Sequence, residues 1–376
     1  MRIVLFGGTF DPVHNEHVKL ARGALKELSP DKLIILPSYV PPHKAAAEAS
    51  APDRLEMARL AFSFDERVEI SDYEIARGGD SYSYLTVEHF AGIYPEAELY
   101  FLIGGDSLFD FDGWKHPEII AEKAKIAVVS RGQFTEKLVA RSAAFEKTYG
   151  YKPKMLSFTG DLTSSTYVRY CLMLGCEGEN IPQAVSDYIR ENGLYRGDEL
   201  FAYVREHLKE KRLLHTAGVI ECALRLNGQK SLRLDRDKVV TASLLHDVAK
   251  YMRPEDFPSF VPPDELPRSV VHAFLGEYVA KTVLGISDED VLSAIRYHTT
   301  GRPDMTALEK LVYTADLLER NRDYPGVKKL RELTEQDFEK GFRECMLQGY
   351  KRLKQMLMPG GIYYLSAKAY EYYSKN

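Results

Sequence analysis

Only four of the 376 residues are cysteine, and none of Cys171, Cys176, Cys222 and Cys345 lies in a C-x-x-C pair or at zinc-knuckle spacing. A disulfide scaffold and a thiolate metal knuckle are thereby excluded, and reduced, partly buried thiols are expected. Long apolar runs are missing too, and nothing approaches the ~20 residues that a membrane-spanning helix needs. Positive charge is not in excess, since 50 Lys and Arg face 55 Asp and Glu for a net charge of −5. Sequence-independent nucleic-acid binding needs a basic face and is not expected. Low-complexity tails and short-period repeats are lacking as well. The first residues read as a strand, without the layout of a secretory leader, so a cytoplasmic location is expected. What is there is a globular composition, 45% hydrophobic and 28% charged, over a length too great for one ordinary core. Two domains are expected.

The stretch MRIVLFGGTFDPVHNEH carries the first chemistry. Arg2 to Phe6 is a β-prone apolar run that breaks at Gly7-Gly8 and leads, through Thr9 and Phe10, into a helix with Asn15 as its expected cap. A strand, a glycine turn and a helix start together make a phosphate site, because the backbone can approach the anion and free N–H groups face it. His14 and His17 lie three apart in the first turn, so both rings can project toward that anion. Further on, Lys32 to Leu36 is a strand, followed by a loop from Ser38 to Lys44. That loop reads either as a solvated turn or as a substrate-binding edge on which Lys44 offers a point charge. Another strand, Glu98 to Ile103, breaks at Gly104-Gly105. It sets Asp106 at a strand's carboxyl end, where a carboxylate can take a ribose hydroxyl or a magnesium ion. Trp114, the only tryptophan, is either core or a stacking platform for a ring. Ser164, Ser165 and Thr166 stack hydroxyls at a helix start, with Arg169 one turn in to clamp phosphate. After a polar hinge from Arg196 to Glu199 the strand signals vanish and helical periodicity takes over. Successive helices there carry His215, His246-Asp247, His272, His298 and Asp316. Isolated charge in the apolar helix around His246 and Asp247 would be costly, so a compensating cation is expected.

These strings resemble known families. GGTFDPVHNEH resembles the signature of the nucleotidylyltransferase superfamily, with Glu16 where the family usually has glycine, and LTSSTYVR resembles its second phosphate motif. The segment with Asp72, Arg77 and Ser81 to Thr86, and the block GGDSLFDFDGWKHP, resemble bacterial nicotinate-mononucleotide adenylyltransferases. This resemblance covers residues 1 to about 195 and implies an α/β domain with a Rossmann-like parallel sheet. It further implies transfer of AMP from ATP, with Mg²⁺, to nicotinate mononucleotide, giving deamido-NAD and pyrophosphate. His14, His17, Lys44 and Arg169 would stabilise charge. Gly7, Gly8, Thr9, Phe10, Thr86, Gly104, Asp106, Trp114, Ser164, Ser165 and Thr166 would contact nucleotide or substrate. Phosphopantetheine is the alternative acceptor, against which the Trp114 block and the Ser81 to Thr86 segment speak.

From 196 to 376 the strings HDVAK, RYHTTGRPDM and LEKLVYTAD, and the Glu319-x-x-Arg322 step, resemble the YqeK-type branch of the HD-domain metal-dependent phosphohydrolases. An all-α domain is implied, with di-metal hydrolysis of diadenosine tetraphosphate to two ADP. His215, His246, Asp247 and Asp316 would hold one ion, His272 and His298 a second, with Asp247 bridging. The resemblance implies iron, with manganese or zinc as alternatives, and mixed imidazole and carboxylate ligands suit any of the three better than calcium. Lys250 and Arg302 would stabilise charge on the departing nucleotide. Hydrolysis of another nucleotide, or a non-catalytic nucleotide sensor, stays open for this domain, as does a homo-oligomeric state.

Overall fold

Six runs rich in Val, Ile, Leu and Phe pair in parallel to build the N-terminal sheet, in the order β3-β2-β1-β4-β5-β6. The computed structural model describes residues 1–41, 47–130, 136–159, 163–176, 180–355 and 362–375. The strands are β1 (Arg2–Gly8), β2 (Lys32–Pro37), β3 (Val68–Ile70), β4 (Glu98–Gly104), β5 (Lys125–Ser130) and β6 (Lys154–Thr159). Ile3, Val4 and Leu5 are fully buried, as a strand covered on both faces requires, and Ile3 is flanked by Lys32 and Leu99. The crossover helices are α1 (Asn15–Leu28), α2 (Ala51–Phe62), α3 (Tyr73–Arg77), α4 (Ser83–Ile93), α5 (Gly105–Asp110), α6 (Pro117–Lys123), α7 (Glu136–Tyr149), α8 (Ser165–Met173) and α9 (Gln183–Glu191). Chain order reverses between β1 and β4. The crevice at their carboxyl ends, beside Gly8 and Gly104, is therefore where such a sheet takes a ligand.

Helical periodicity after residue 196 appears as α10 (Glu199–His207), α11 (Glu210–Asn227), α12 (Arg236–Leu245), α13 (Val271–Thr282), α14 (Glu289–Tyr297), α15 (Ala307–Leu318), α16 (Val327–Gln336), α17 (Phe338–Gln355) and α18 (Tyr364–Lys375). Helix α11 packs on α12 and α15, and α14 packs on α12, α13 and α15. No helix among the described residues is long and apolar enough to cross a membrane.

Two details differ from expectation. The chain forms two compact units, Met1–Arg169 with Gly178–Tyr195, and Tyr170–Glu177 with Arg196–Asn376. The segment from Tyr170 joins the helical unit because its ring stacks on Phe201 at 6.1 Å and its hydroxyl accepts from Arg236. Nor is the segment around Gly197 a loose hinge. A Cβ at Gly197 would lie 2.4 Å from that of Phe201 and 2.8 Å from the Met173 carbonyl, and Asp198 caps α10.

Three strand starts meet at Glu98, whose carboxylate accepts from Lys125 (2.6 Å) and Arg2 (2.8 Å). These two partners hold its carboxyl down at about 2, from an ordinary 4.5. A depressed carboxylate contributes stability that is complete above the ordinary range and lost as pH falls. Glu98→Gln is expected to cost less than about 1 kcal/mol at neutral pH, because the side chain is partly solvated. As pH falls from 4.5 toward 2, the substituted chain should lose less stability than the unaltered one, by denaturant midpoints measured across that window.

Candidate active site and metal centre

In the first unit the glycine turn and the helix start come together as the sequence indicates, with one change of role. His14, not Asn15, is the N-cap of α1, and a reciprocal box pairs it with His17. The His14 backbone N–H donates to Nδ1 of His17 (3.2 Å), and the two rings stack at 3.7 Å. Because Nδ1 of His17 accepts, the neutral ring carries its proton on Nε2, a donor suited to an anion. Phe10 is buried with a φ of 52°, edge-on to His17 at 5.0 Å and to Phe62 at 5.7 Å. Its ring supports His17 from the core. Gly8 is required beneath it, since a Cβ there would meet the buried ring at 2.9 Å.

The second phosphate motif meets the first although about 150 residues separate them (|i−j| of 153 for Ser165 and Pro12). Ser165 Oγ donates to the Pro12 carbonyl at 3.1 Å, and Ser164 Oγ accepts from the Tyr167 backbone at 3.2 Å. Arg169 donates to the Asp11 carbonyl and to Thr166 Oγ1, and lies 3.4 Å from the Asp11 carboxylate. Its guanidinium thus fastens the two motifs together. Gly7, Gly8, Thr9 and Gly104 are half-buried at the strand ends, and Asp106 is exposed in the first turn of α5. Trp114 is half-buried, packed against Phe111 (5.3 Å) and Phe101 (6.3 Å), so the indole is part core. Thr86 is closed off: it is 1% exposed and donates to Glu74 at 2.6 Å, so its expected substrate contact is not open here. Lys44 lies outside the described residues.

In the second unit, α11 delivers His215, the end of α12 delivers His246 and Asp247, α13 delivers His272, the end of α14 delivers His298, and α15 delivers Asp316. Ligand atoms of His215, His246 and Asp247 lie within 4.8 Å of one another, as do those of Asp247, His272 and His298, so Asp247 belongs to both sets. Asp316 joins the first set through His215 Nε2, 3.1 Å away.

The hydrogen-bond pattern tests whether these groups fit metal. His246 Nδ1 is 2.7 Å from the Ser243 carbonyl and His298 Nδ1 is 2.7 Å from the Ile295 carbonyl. His215 Nδ1 is 3.1 Å from Glu319. Each of these acceptors calls for the ring proton on Nδ1, which leaves Nε2 as a bare lone pair. The bare Nε2 atoms of His215 and His246 then face each other at 3.3 Å beside ionised carboxylates. Acceptors converging in this way need a cation, and the donor set fits divalent transition metals.

The electrostatics agree. Burial pulls His246 down to about 3 and His272 to about 4, so both are neutral, ligand-ready imidazoles near pH 7. Burial alone would raise Asp247, but its polar surroundings hold it well below the usual carboxylate range. Burial would likewise raise Asp316, which His215 and Arg322 keep low. Burial pulls His215 down, yet Asp316 and Glu319 raise it overall, the same demand for positive charge.

Three cations hold the carboxylates: Arg212 on Asp247 (2.6 Å), Lys250 on Asp247 (3.2 Å), and Arg322 on Asp316. Lys250 Nζ also lies 3.0 Å from His272 Nε2, within the second set of ligand atoms. Arg302 is elsewhere occupied. It grips the buried Glu309 with Nε and Nη2, both at 3.0 Å, a clamp on the capping-box residue of α15.

Sequence reasoning missed Arg54 and Arg212. Arg212 stands three residues before His215 on α11, a spacing that could have suggested it. Nothing local marks Arg54. It is 1% exposed and donates to the carbonyls of Thr9 (2.8 Å), Ser38 (2.6 Å), Tyr39 (3.1 Å) and Ala49 (3.3 Å). One side chain thus pins the loops leaving β1 and β2.

Comparison with known proteins follows the same division. Residues 5–170 match the cytidylyltransferase-like family model and residues 212–321 match the HD domain model. The chain is 30% identical to a Mycoplasma genitalium protein named "Probable nicotinate-nucleotide adenylyltransferase/Ap4A hydrolase", over 85% of this chain and 88% of that one. It is 37% identical to a "Probable nicotinate-nucleotide adenylyltransferase" of Clostridium tetani, over 51% of this chain and 98% of that protein. It is also similar to a solved structure from Clostridium acetobutylicum, described as a "predicted HD superfamily hydrolase involved in NAD metabolism". That match has 33% identity and a TM-score of 0.41, over 47% of this chain and 96% of the other.

Arg54→Leu strips donors from four buried carbonyls and is expected to cost about 2–5 kcal/mol in denaturant unfolding. Arg54→Lys keeps the charge without the planar fork and should recover only part of that loss.

Proposed function

The chain belongs to the nicotinate-nucleotide adenylyltransferase family in its form fused to an HD domain, and from that membership we propose that it carries out two reactions. The first, in residues 1–195, is adenylyl transfer from ATP to nicotinate mononucleotide. The observation that supports it is the union of the two phosphate motifs at the carboxyl end of β1, through Ser165 on Pro12 and Arg169 on Asp11. A phosphate oxygen of nicotinate mononucleotide attacks the α-phosphorus of ATP. The new P–O bond forms as the bond to pyrophosphate breaks, so no side-chain nucleophile is required. Gly7 and Gly8 let the main chain approach the phosphates, and the α8 start at Ser165 offers N–H donors. His17, with His14 stacked behind it, donates from Nε2 to oxygens on which charge builds, and Lys44 and ATP-bound Mg²⁺ share that load. Asp106 is assigned to the ribose.

The second reaction, in residues 196–376, is hydrolysis of diadenosine tetraphosphate to two ADP. The supporting observation is the pair of ligand sets that share Asp247. Two divalent ions, iron first, would be held by His215, His246, Asp247 and Asp316 and by Asp247, His272 and His298. When bound they neutralise phosphate charge and activate water. The chain's own groups orient this centre. Arg212 fixes one oxygen of Asp247, Arg322 fixes Asp316, and Lys250 stands where its ammonium can turn from Asp247 toward the departing phosphate.

Two substitutions separate the halves. His17→Ala is expected to lower kcat for deamido-NAD formation by about 10²–10³-fold while leaving hydrolysis intact. Asp247→Ala should abolish ADP release and most bound metal while leaving adenylyl transfer intact. Chromatographic product analysis and metal analysis of the purified chain read both. ADP formation surviving Asp247→Ala, or a metal-loaded chain that leaves diadenosine tetraphosphate uncut, would sink the second reading.

A further inference from the structure

We propose that Glu319 is the positioning residue of the first metal set, acting through His215 and held in place by Gly218. The inference rests on the two-ion reading above. Glu319 is 1% exposed at the carboxyl end of α15, and its Oε1 lies 3.1 Å from His215 Nδ1. That contact is on the far side of the imidazole from Nε2, the atom that faces Asp316 at 3.1 Å and His246 at 3.3 Å. Glu319 therefore cannot share an ion with Nε2. What it does is keep the proton on Nδ1 and fix the rotation of the ring, so that the Nε2 lone pair is aimed inward.

The carboxylate is itself over-determined. Its Oε2 accepts from the Asn321 backbone N–H at 2.7 Å, and Arg322 lies 3.9 Å from Oε1. Arg331 anchors the main chain by donating to the carbonyls of Leu318 (2.7 Å) and Glu319 (2.6 Å). Space for the carboxylate comes from α11, the helix that carries His215. At Gly218, three residues on and on the same face, a Cβ would lie 2.4 Å from Glu319 Oε2. A glycine in the interior of an 18-residue helix is disfavoured relative to alanine, so its presence calls for a reason. The close approach of Glu319 supplies one. Arg322 links the second carboxylate of the set, since it also binds Asp316, so His215 and Asp316 are oriented by one connected group of side chains.

The test is titration of the full chain, stripped of metal, with Mn²⁺ or Co²⁺ alone, read as ions bound per chain and affinity at each site. The unaltered chain should bind two ions. Glu319→Leu should weaken one site by about 10–100-fold and leave the other unchanged. Gly218→Ala, which displaces the carboxylate while keeping it, should do the same to a lesser degree. Glu319→Gln, whose amide oxygen still accepts from Nδ1, should recover most of the affinity. A merely structural role would instead lower the unfolding temperature of the metal-free chain and weaken both sites together, with no rescue by glutamine. That pattern, or two unaltered sites in Glu319→Leu and Gly218→Ala, overturns the proposal. If the unaltered chain itself binds no ion, the metal-centre reading fails and the proposal falls with it.

Discussion

A carboxylate taken out of water has to find donated hydrogens or positive charge, and each unit of this chain is built around one that has done so. In the first unit it is Asp11, 3% exposed. It accepts from the Glu48 and Ala49 backbones (2.9 and 3.1 Å) and the Tyr195 hydroxyl (2.6 Å), with Arg169 at 3.4 Å. In the second it is Asp247, 2% exposed, between Arg212, Lys250 and a ring of imidazoles. The consequence in both is geometric. Asp11 gathers the β1 turn, the chain before α2, helix α8 and Tyr195 beyond α9 around one point. Asp247 gathers α11, α13 and the ends of α12 and α14. Such networks are poor sources of net stability, because desolvation offsets most of the attraction. What they supply is a fixed arrangement of groups that would otherwise be free to turn.

That division explains how much was legible in the sequence. The strands show because a parallel sheet covered on both faces writes continuous apolar runs such as RIVLF. The histidine pair at 14 and 17 shows because helical spacing is local, and the HD string because His246 and Asp247 are adjacent. What stayed hidden acts across distance. Arg54 reaches a carbonyl 45 positions away and leaves no local pattern; Glu319 stands in the Glu319-x-x-Arg322 step, but that step does not show that it reaches an imidazole 104 positions away. The partners of Thr86 and Arg302 stayed hidden for a related reason. Thr86 and Arg302 are polar and close in sequence to functional strings, but polarity does not reveal whether a group faces a cleft or a buried partner. Glu74 took the first and Glu309 the second. Glu16, which stands where glycine is usual, is buried and lies 3.6 Å from Lys19.

Histidine is the side chain common to both sites, and the fold uses it with opposite polarity. Which nitrogen of a neutral imidazole carries the proton is decided by what the other nitrogen meets. At His17 the Nδ1 atom meets a donor, the backbone N–H of His14, so the proton is left on Nε2. The other end of that ring is then a hydrogen-bond donor, the form an anionic phosphate requires. At His246 and His298 the Nδ1 atoms meet backbone carbonyls, and at His215 the carboxylate of Glu319, so the proton stays there. The inward ends of those rings are lone pairs, the form a metal ion requires. A single hydrogen bond at Nδ1 thus sets whether a histidine serves an anion or a cation. The helix start in the first unit supplies an N–H there, whereas the helix ends at His246 and His298 supply carbonyls. The proposed phosphate chemistry calls for both kinds of site, and backbone groups at opposite ends of helices orient them.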